Sequence, residues 1–242
     1  MPTSQGELVG EDVLATLRQV STATLGTQLF RRGLRQQYLV GVAAIGPIGE
    51  RVVGPAFTMR FIPAREDLET LESLPGEQNL QWQAVEQIAS GEVMVVDSFN
   101  SIEAATAGDM LVGRAMLRGA AAFITDGAFR DGVDVAALAI PTYARAITST
   151  TRLSSFHVAD LQVPIGCAGV AVYPGDIIVC DADGVMVIPR HLAAEIAGPA
   201  LEQERLEAYL HTRVHAGEAL WGVYPPNERT LAEYAQWRAS HE

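Results

Sequence analysis

The chain has 242 residues, a formal net charge of −12 and 17 basic side chains besides histidine, every one of them arginine. Without lysine it can form no Schiff base with a carbonyl substrate or with pyridoxal phosphate, and it carries no standard P-loop. The acidic balance argues against nucleic acid or an anionic membrane as a partner, and a 48% hydrophobic composition supports a sizeable core.

The N-terminal stretch is polar and acidic and lacks the pattern of a signal peptide, and no run of about 18 apolar residues predicts a membrane span. With two cysteines at no ligand spacing, Cys167 and Cys180, the expected setting is a reducing one, the cytoplasm. Residues 11–19 show helical spacing, with apolar side chains at 13, 14, 17 and 20. A second short helix is predicted over 23–32, with Ser21-Thr22 as hydroxyl cap and Gly33 as stop. Runs at 40–45 and 51–61 are β-rich and punctuated by Gly and Pro. Residues 64–79 are acidic and polar, a surface loop or helix.

The middle alternates regularly. Strands are predicted at 92–97, 120–125 and 140–145, with a helix over 108–118 and a polar helix-like stretch after 127. That order predicts parallel pairing with right-handed crossovers. Residues 156–188 form short strands separated by Pro-Gly-Asp and Asp-Gly turns, with Ala168–Tyr173 read as one of the strands. A long charged helix follows over 190–216, and 217–242 is read as a tail. No linker interrupts the chain, so 1–242 is expected to be a single domain, with 190–242 serving oligomer contacts.

The chemistry concentrates in GDMLVGRAMLRGAAAFITDGAFRD, residues 108–131. Gly108-Asp109 opens a helix whose first N–H groups attract an anion. The following strand delivers Asp126 through Asp131 at its carboxyl end, where open α/β sheets bind ligands. Arg130 can grip oxygen with two nitrogens, and Asp109 with Asp131 suits a hydrated, oxygen-liking ion such as Mg²⁺. The plainer alternative is that Asp109 only complements a helix dipole and Arg130–Asp131 is a surface pair.

The same run resembles the signature of the RraA-like family, which joins the regulator of ribonuclease E activity A to class II pyruvate aldolases such as 4-hydroxy-4-methyl-2-oxoglutarate aldolase. The family pattern is Gly-Asp/Glu at a helix start, then a strand ending in Asp-Gly-x-x-Arg-Asp, with a separation of 21 from the first acid to the Arg; 130 − 109 gives the same value. Residues 163–191, 21–35 and 54–61 resemble the rest of the family's chain. The resemblance implies a β/β/α swivelling-domain α/β fold, assembled as a trimer or hexamer. It implies that Asp131 is the metal ligand, for Mg²⁺ or another divalent cation such as Mn²⁺, and that Asp109 holds water on that metal. It implies that Arg130 binds the C2 oxygen of a 2-oxo acid, while Gly108 and the amides of Met110 and Leu111 receive its carboxylate. A glutamate on a neighbouring subunit's C-terminal helix is matched best by Glu207, with Glu204 one turn earlier.

The expected function is therefore a metal-dependent aldolase or oxaloacetate decarboxylase working through a pyruvate enolate. The alternative is a non-catalytic regulator that binds and inhibits a ribonuclease or RNA helicase. Other residues are read as structural. His211 and His215, although four apart, lack the H-E-x-x-H glutamate. His157 is taken as a satisfied histidine, Cys167 and Cys180 as buried strand residues, Asp181–Gly184 as an Asx-type turn, and Arg60 and Arg65 as exposed arginines.

Overall fold

Alternation along the strands sorts the apolar side chains into three separate cores. The computed structural model describes residues 9–73 and 76–240. Two helices come first, α1 (Glu11–Leu17) and α2 (Thr22–Arg31), then β1 (Ala43–Ala44), β2 (Val52–Pro63), α3 (Leu80–Gln87) and β3 (Val93–Asp97). Next are β4 (Ala105–Ala107), α4 (Asp109–Leu117), β5 (Ala122–Thr125), β6 (Ala128–Phe129), α5 (Gly132–Ala137), β7 (Thr142–Ala144) and β8 (Ala146–Ile147). The chain ends with β9 (Phe156–Leu161), β10 (Ile177–Asp181), β11 (Gly184–Ile188), α6 (Ala193–His215) and α7 (Glu228–Ala239).

The main sheet runs β1-β7-β5-β3-β2-β10-β11, with β9 also on β2. The strands β3, β5 and β7 pair in parallel, as the alternation of strands and helices predicts, and β2 joins β3 in parallel as well. Its two edges are brought together by the segment 37–44. The Leu39 amide donates to the Val185 carbonyl of β11, and the Val187 amide to the Gln37 carbonyl, while Ala43 and Ala44 pair with β7. One short segment therefore bonds both margins, and the sheet is a nearly closed barrel, which leaves few open edges.

In β3, Val93 and Val95 face inward and pack with Leu39, Ile124, Tyr143, Cys180 and Val187. Met94 and Val96 face the other way, against Ala84 of α3, Ile88 just after it, and Val112 and Ala115 of α4. In β10, Ile178 and Cys180 point inward, while Ile177 and Val179 meet Leu25, Leu29 and Ile196 of α2 and α6. The period of two is what lets one strand serve two cores.

The N-cap of α2 is Ser21, whose side chain accepts from the Thr24 amide, and Gly33 follows the helix at φ +84°. The β10–β11 turn is the expected Asx turn. The Asp183 amide donates to Asp181 Oδ1 at 3.0 Å, and the Thr22 amide and hydroxyl reach the same carboxylate at 2.8 and 2.9 Å.

Three expectations are corrected. Ala168–Tyr173 is not a strand: Ala168 sits at φ +50° inside a 3₁₀ turn over Cys167–Gly169, and only one bridge, Ile165 to Val172, survives. Cys167 is accordingly buried in a turn, although Cys180 lies in β10 as expected. Burial raises the pKa of both thiols, so each behaves as a small apolar residue. Residues 217–242 are not merely a tail, since α7 packs back on α6. Tyr209 meets Tyr234 and Trp237 with ring centroids 5.5 and 5.3 Å apart, and Arg238 pairs with Glu202 at 2.8 Å. Among the described residues no helix is long and apolar enough to cross a membrane.

Candidate active site

A second, very small sheet builds the site. Strands β4, β6 and β8 pair in parallel, with Ala105 opposite Ala128 and Phe129 opposite Ile147. Parallel neighbours end on the same side. The end of β4 therefore delivers Gly108-Asp109 beside Arg130-Asp131 from the end of β6, and the Arg130 amide ties the two by donating to the Ala107 carbonyl at 2.9 Å. This refines the expected placement: β5 stops at Thr125, the turn Asp126-Gly127 follows, and β6 carries the arginine.

Gly108 is the N-cap of α4, and the first helical bond runs from the Val112 amide to its carbonyl at 3.1 Å. The N–H groups of Asp109, Met110 and Leu111 thus have no acceptor within the helix. A side chain at 108 would place its Cβ 2.7 Å from Asp131 Oδ2, so glycine is what lets this helix start lie against that carboxylate. Asp131 adopts a left-handed conformation, φ 56° and ψ 43°, which Asp tolerates better than most residues. Its carbonyl accepts from the Val135 amide at 2.8 Å and starts α5. Arg130 Nε lies 3.7 Å from Asp131 Oδ2, and both side chains remain partly open to solvent.

Gly108, Asp109, Met110, Leu111, Arg130 and Asp131 all line one cleft of about 380 Å³, with Gln81, Trp82, Thr151 and Arg152 on its walls. The structure thus gathers every residue of the central motif that sequence reasoning assigned a role. Neither Glu204 nor Glu207 lines the cleft of its own chain. Glu204 accepts from the Ser21 hydroxyl at 3.0 Å, and Glu207 accepts from Gln203 at 2.7 Å and borders a separate cavity with His211 and Tyr224.

The donor set in the cleft consists of two carboxylates. No group of three His, Cys, Asp or Glu poised for a metal exists among the described residues. That composition fits a hard cation that keeps several waters, as Mg²⁺ does, and does not fit a structural zinc centre.

Behind the site, Asp126 is buried and holds two loops. Its Oδ1 accepts from the Ser98 amide and hydroxyl at 2.7 and 2.9 Å, and its Oδ2 from the amides of Asn100 and Ala168 at 3.1 and 3.0 Å. Burial raises its pKa, and the hydrogen bonds from Ser98 and Ala168 only partly offset that.

Sequence reasoning missed Arg152, Gln81 and Trp82. The Asn79 cap, which accepts from the amides of Gln81 and Trp82, was the available signal for α3. Nothing in the polar stretch around Arg152 marks it, because its partners lie far away in sequence. Other side chains outside the central motif have partners of their own. Arg60 pairs with Asp160, Arg65 with Asp67, and His157 with Glu69. His211 and His215 lie ring against ring, 4.0 Å apart.

A family model described as RraA-like (Aldolase/RraA) matches residues 20–187. A Halalkalibacterium halodurans protein named "Putative 4-hydroxy-4-methyl-2-oxoglutarate aldolase" is 36% identical over 150 residues, 61% of this chain and 65% of that protein. Protein DlpA of Legionella pneumophila is 24% identical over 90% of this chain, which corresponds to 35% of DlpA. The chain thus spans less than two thirds of either relative. Among solved structures, an uncharacterized protein from Pseudomonas syringae matches with a TM-score of 0.77 at 26% identity, over 90% of this chain and all of that one. Streptomyces coelicolor RraAS2, described as an unusual member of the RNase ES inhibitor RraA protein family, matches with a TM-score of 0.75 at 33% identity, over 84% of this chain and 98% of that one.

Proposed function

The chain belongs to the RraA-like family, and from that premise we propose that it is a divalent-metal-dependent lyase that cleaves a 4-hydroxy-2-oxo acid, or decarboxylates oxaloacetate, through a pyruvate enolate. One observation carries the reading: a helix start, a guanidinium and two carboxylates converge on a single cleft.

The free amides of Met110 and Leu111 receive the substrate's carboxylate. Arg130 donates to the C2 carbonyl oxygen. As the C3–C4 bond breaks, its electron pair moves through C3 to that oxygen, and the same guanidinium hydrogen-bonds the negative charge that develops there. Asp109 holds the water that takes the proton from the 4-hydroxyl and returns one to C3. Asp131, with Asp109 beside it, would hold a divalent cation, which would supply Lewis acidity when bound. With no lysine in the chain, the charge falls to these groups. Glu207 of a neighbouring copy, in a trimer or hexamer, completes the proposed site, and Glu204 stays engaged with Ser21.

The test is pyruvate release with Mg²⁺ across oxaloacetate and several 4-hydroxy-2-oxo acids. Asp131→Ala or excess EDTA should reduce the rate by at least about 100-fold, the scale of losing one charge-stabilising group. Full activity in either condition contradicts the reading.

A second reading, a non-catalytic inhibitor of a ribonuclease or RNA helicase, takes its support from the likeness to Streptomyces coelicolor RraAS2. Silence on every substrate together with ribonuclease binding would favour it. The retention of Asp109, Arg130 and Asp131 in one cleft favours the enzyme.

A further inference from the structure

Arg152 is the second guanidinium in the cleft, and the mechanism above makes no use of it. It sits in the 3₁₀ turn that leads into β9, with its side chain 11% exposed. Its Nη1 donates to Glu69 Oε2 at 2.7 Å and to the Phe156 carbonyl at 3.2 Å, and its Nε donates to Gln81 Oε1 at 3.0 Å. Gln81 is fixed in turn, because its Nε2 donates to the Thr106 carbonyl of β4 at 2.5 Å. Glu69 also meets His157 Nδ1 at 2.5 Å. Burial raises the Glu69 pKa, but the hydrogen bonds from His157 and Arg152 outweigh it, so the carboxyl titrates below its ordinary range and is ionised at neutral pH.

The arginine is therefore immobilised on three sides before any ligand arrives. Its remaining nitrogen, Nη2, has no hydrogen-bond partner among the described residues. The ordering cost of holding a long side chain is already met by the fold. A planar fork with one free edge is suited to an oxyanion. The helix start and Arg130 serve the carboxylate and the C2 oxygen, and the water on Asp109 serves the 4-hydroxyl, which leaves any group carried beyond C4 without a partner.

We infer that Arg152 is the specificity-determining residue of the cleft, and that it selects substrates carrying an anionic group beyond the scissile bond. The inference rests on the reading of the cleft as a 2-oxo acid site. Glu69 sets its strength by offsetting part of the arginine's charge.

Calorimetric titration of the Mg²⁺-loaded full chain with pyruvate, 2-oxopentanoate and 2-oxoglutarate tests it. Wild-type protein should bind 2-oxoglutarate about tenfold tighter than 2-oxopentanoate, which lacks the second carboxylate, the scale of one charge-assisted hydrogen bond. Arg152→Gln should abolish that preference and leave 2-oxopentanoate and pyruvate unchanged. Glu69→Gln, which keeps the guanidinium and removes its counter-charge, should tighten 2-oxoglutarate alone, and it carries the test if the arginine variant does not fold. Equal wild-type affinity for the two longer acids, or parallel losses for all three ligands in Arg152→Gln, overturns the assignment while the 2-oxo acid reading stands. Failure of wild type to bind any of the three overturns both.

Discussion

Asp126, which is buried, and Glu69, which is half-buried, are carboxylates near the cleft that respond to their surroundings in opposite ways. Asp126 is served mainly by neutral amides, so burial wins and its pKa rises; Glu69 accepts hydrogen bonds from His157 and Arg152, which outweigh burial, and its pKa falls. For Glu69 the sign of the linkage follows directly. A carboxyl with a depressed folded pKa stabilises the protein above its unfolded pKa, and that stabilisation is lost as pH falls through the folded value. Urea unfolding should therefore show acid destabilisation beginning below about pH 4.3, the ordinary glutamate value, and Glu69→Gln should flatten that limb. Asp126→Ala leaves the amides of Ser98, Asn100 and Ala168 without their acceptor. Roughly 3 kcal/mol of stability should disappear, at about 1–3 kcal/mol per unsatisfied buried donor less what relaxation recovers. At this scale the motif residues were legible, because Asp109, Arg130 and Asp131 lie in one short run that the fold keeps together. Arg152 was not, because Glu69 and Gln81, its partners, lie 83 and 71 residues away.

Among the elements, α4 is the most exacting. Gly108 has φ −127°, which any residue can adopt, so its requirement is purely one of space. Gly108→Ala should keep the fold and the thermal midpoint within a few degrees, yet lower pyruvate release by at least about tenfold, because a Cβ 2.7 Å from Asp131 Oδ2 must displace that carboxylate. A variant as active as wild type would show that the helix start and Asp131 need not touch. Helix α7 gives a milder case. Its cap Asn227 accepts from the Thr230 amide at 3.0 Å, and Asn227→Ala should cost about 1 kcal/mol in urea unfolding. Elements with a marked composition, such as the apolar run of β3 and the long charged stretch of α6, could be read from the residues. The strands β4, β6 and β8 span only two or three residues each and carry no period at all. Their pairing is decided by tertiary contacts, which is why the strands that position the site escaped the sequence while the site residues did not.

At the scale of the whole molecule, closure of the sheet by residues 37–44 gives a rigid wall against which the small β4–β6–β8 sheet presents its ends. The family signature conveys that architecture, but the barrel margins do not show in any local pattern, since Leu39 and Val185 meet across most of the chain. The central claim is that this frame holds a pyruvate enolate, whatever group the natural substrate carries beyond it. Pyruvate alone tests that claim, without knowledge of the aldol partner. Its methyl protons, followed by proton NMR in D₂O with the Mg²⁺-loaded protein, should wash out well above the buffer rate, and Arg130→Ala or excess EDTA should return the exchange to that rate. Wild-type protein that binds pyruvate yet leaves its methyl signal as in buffer would contradict the account.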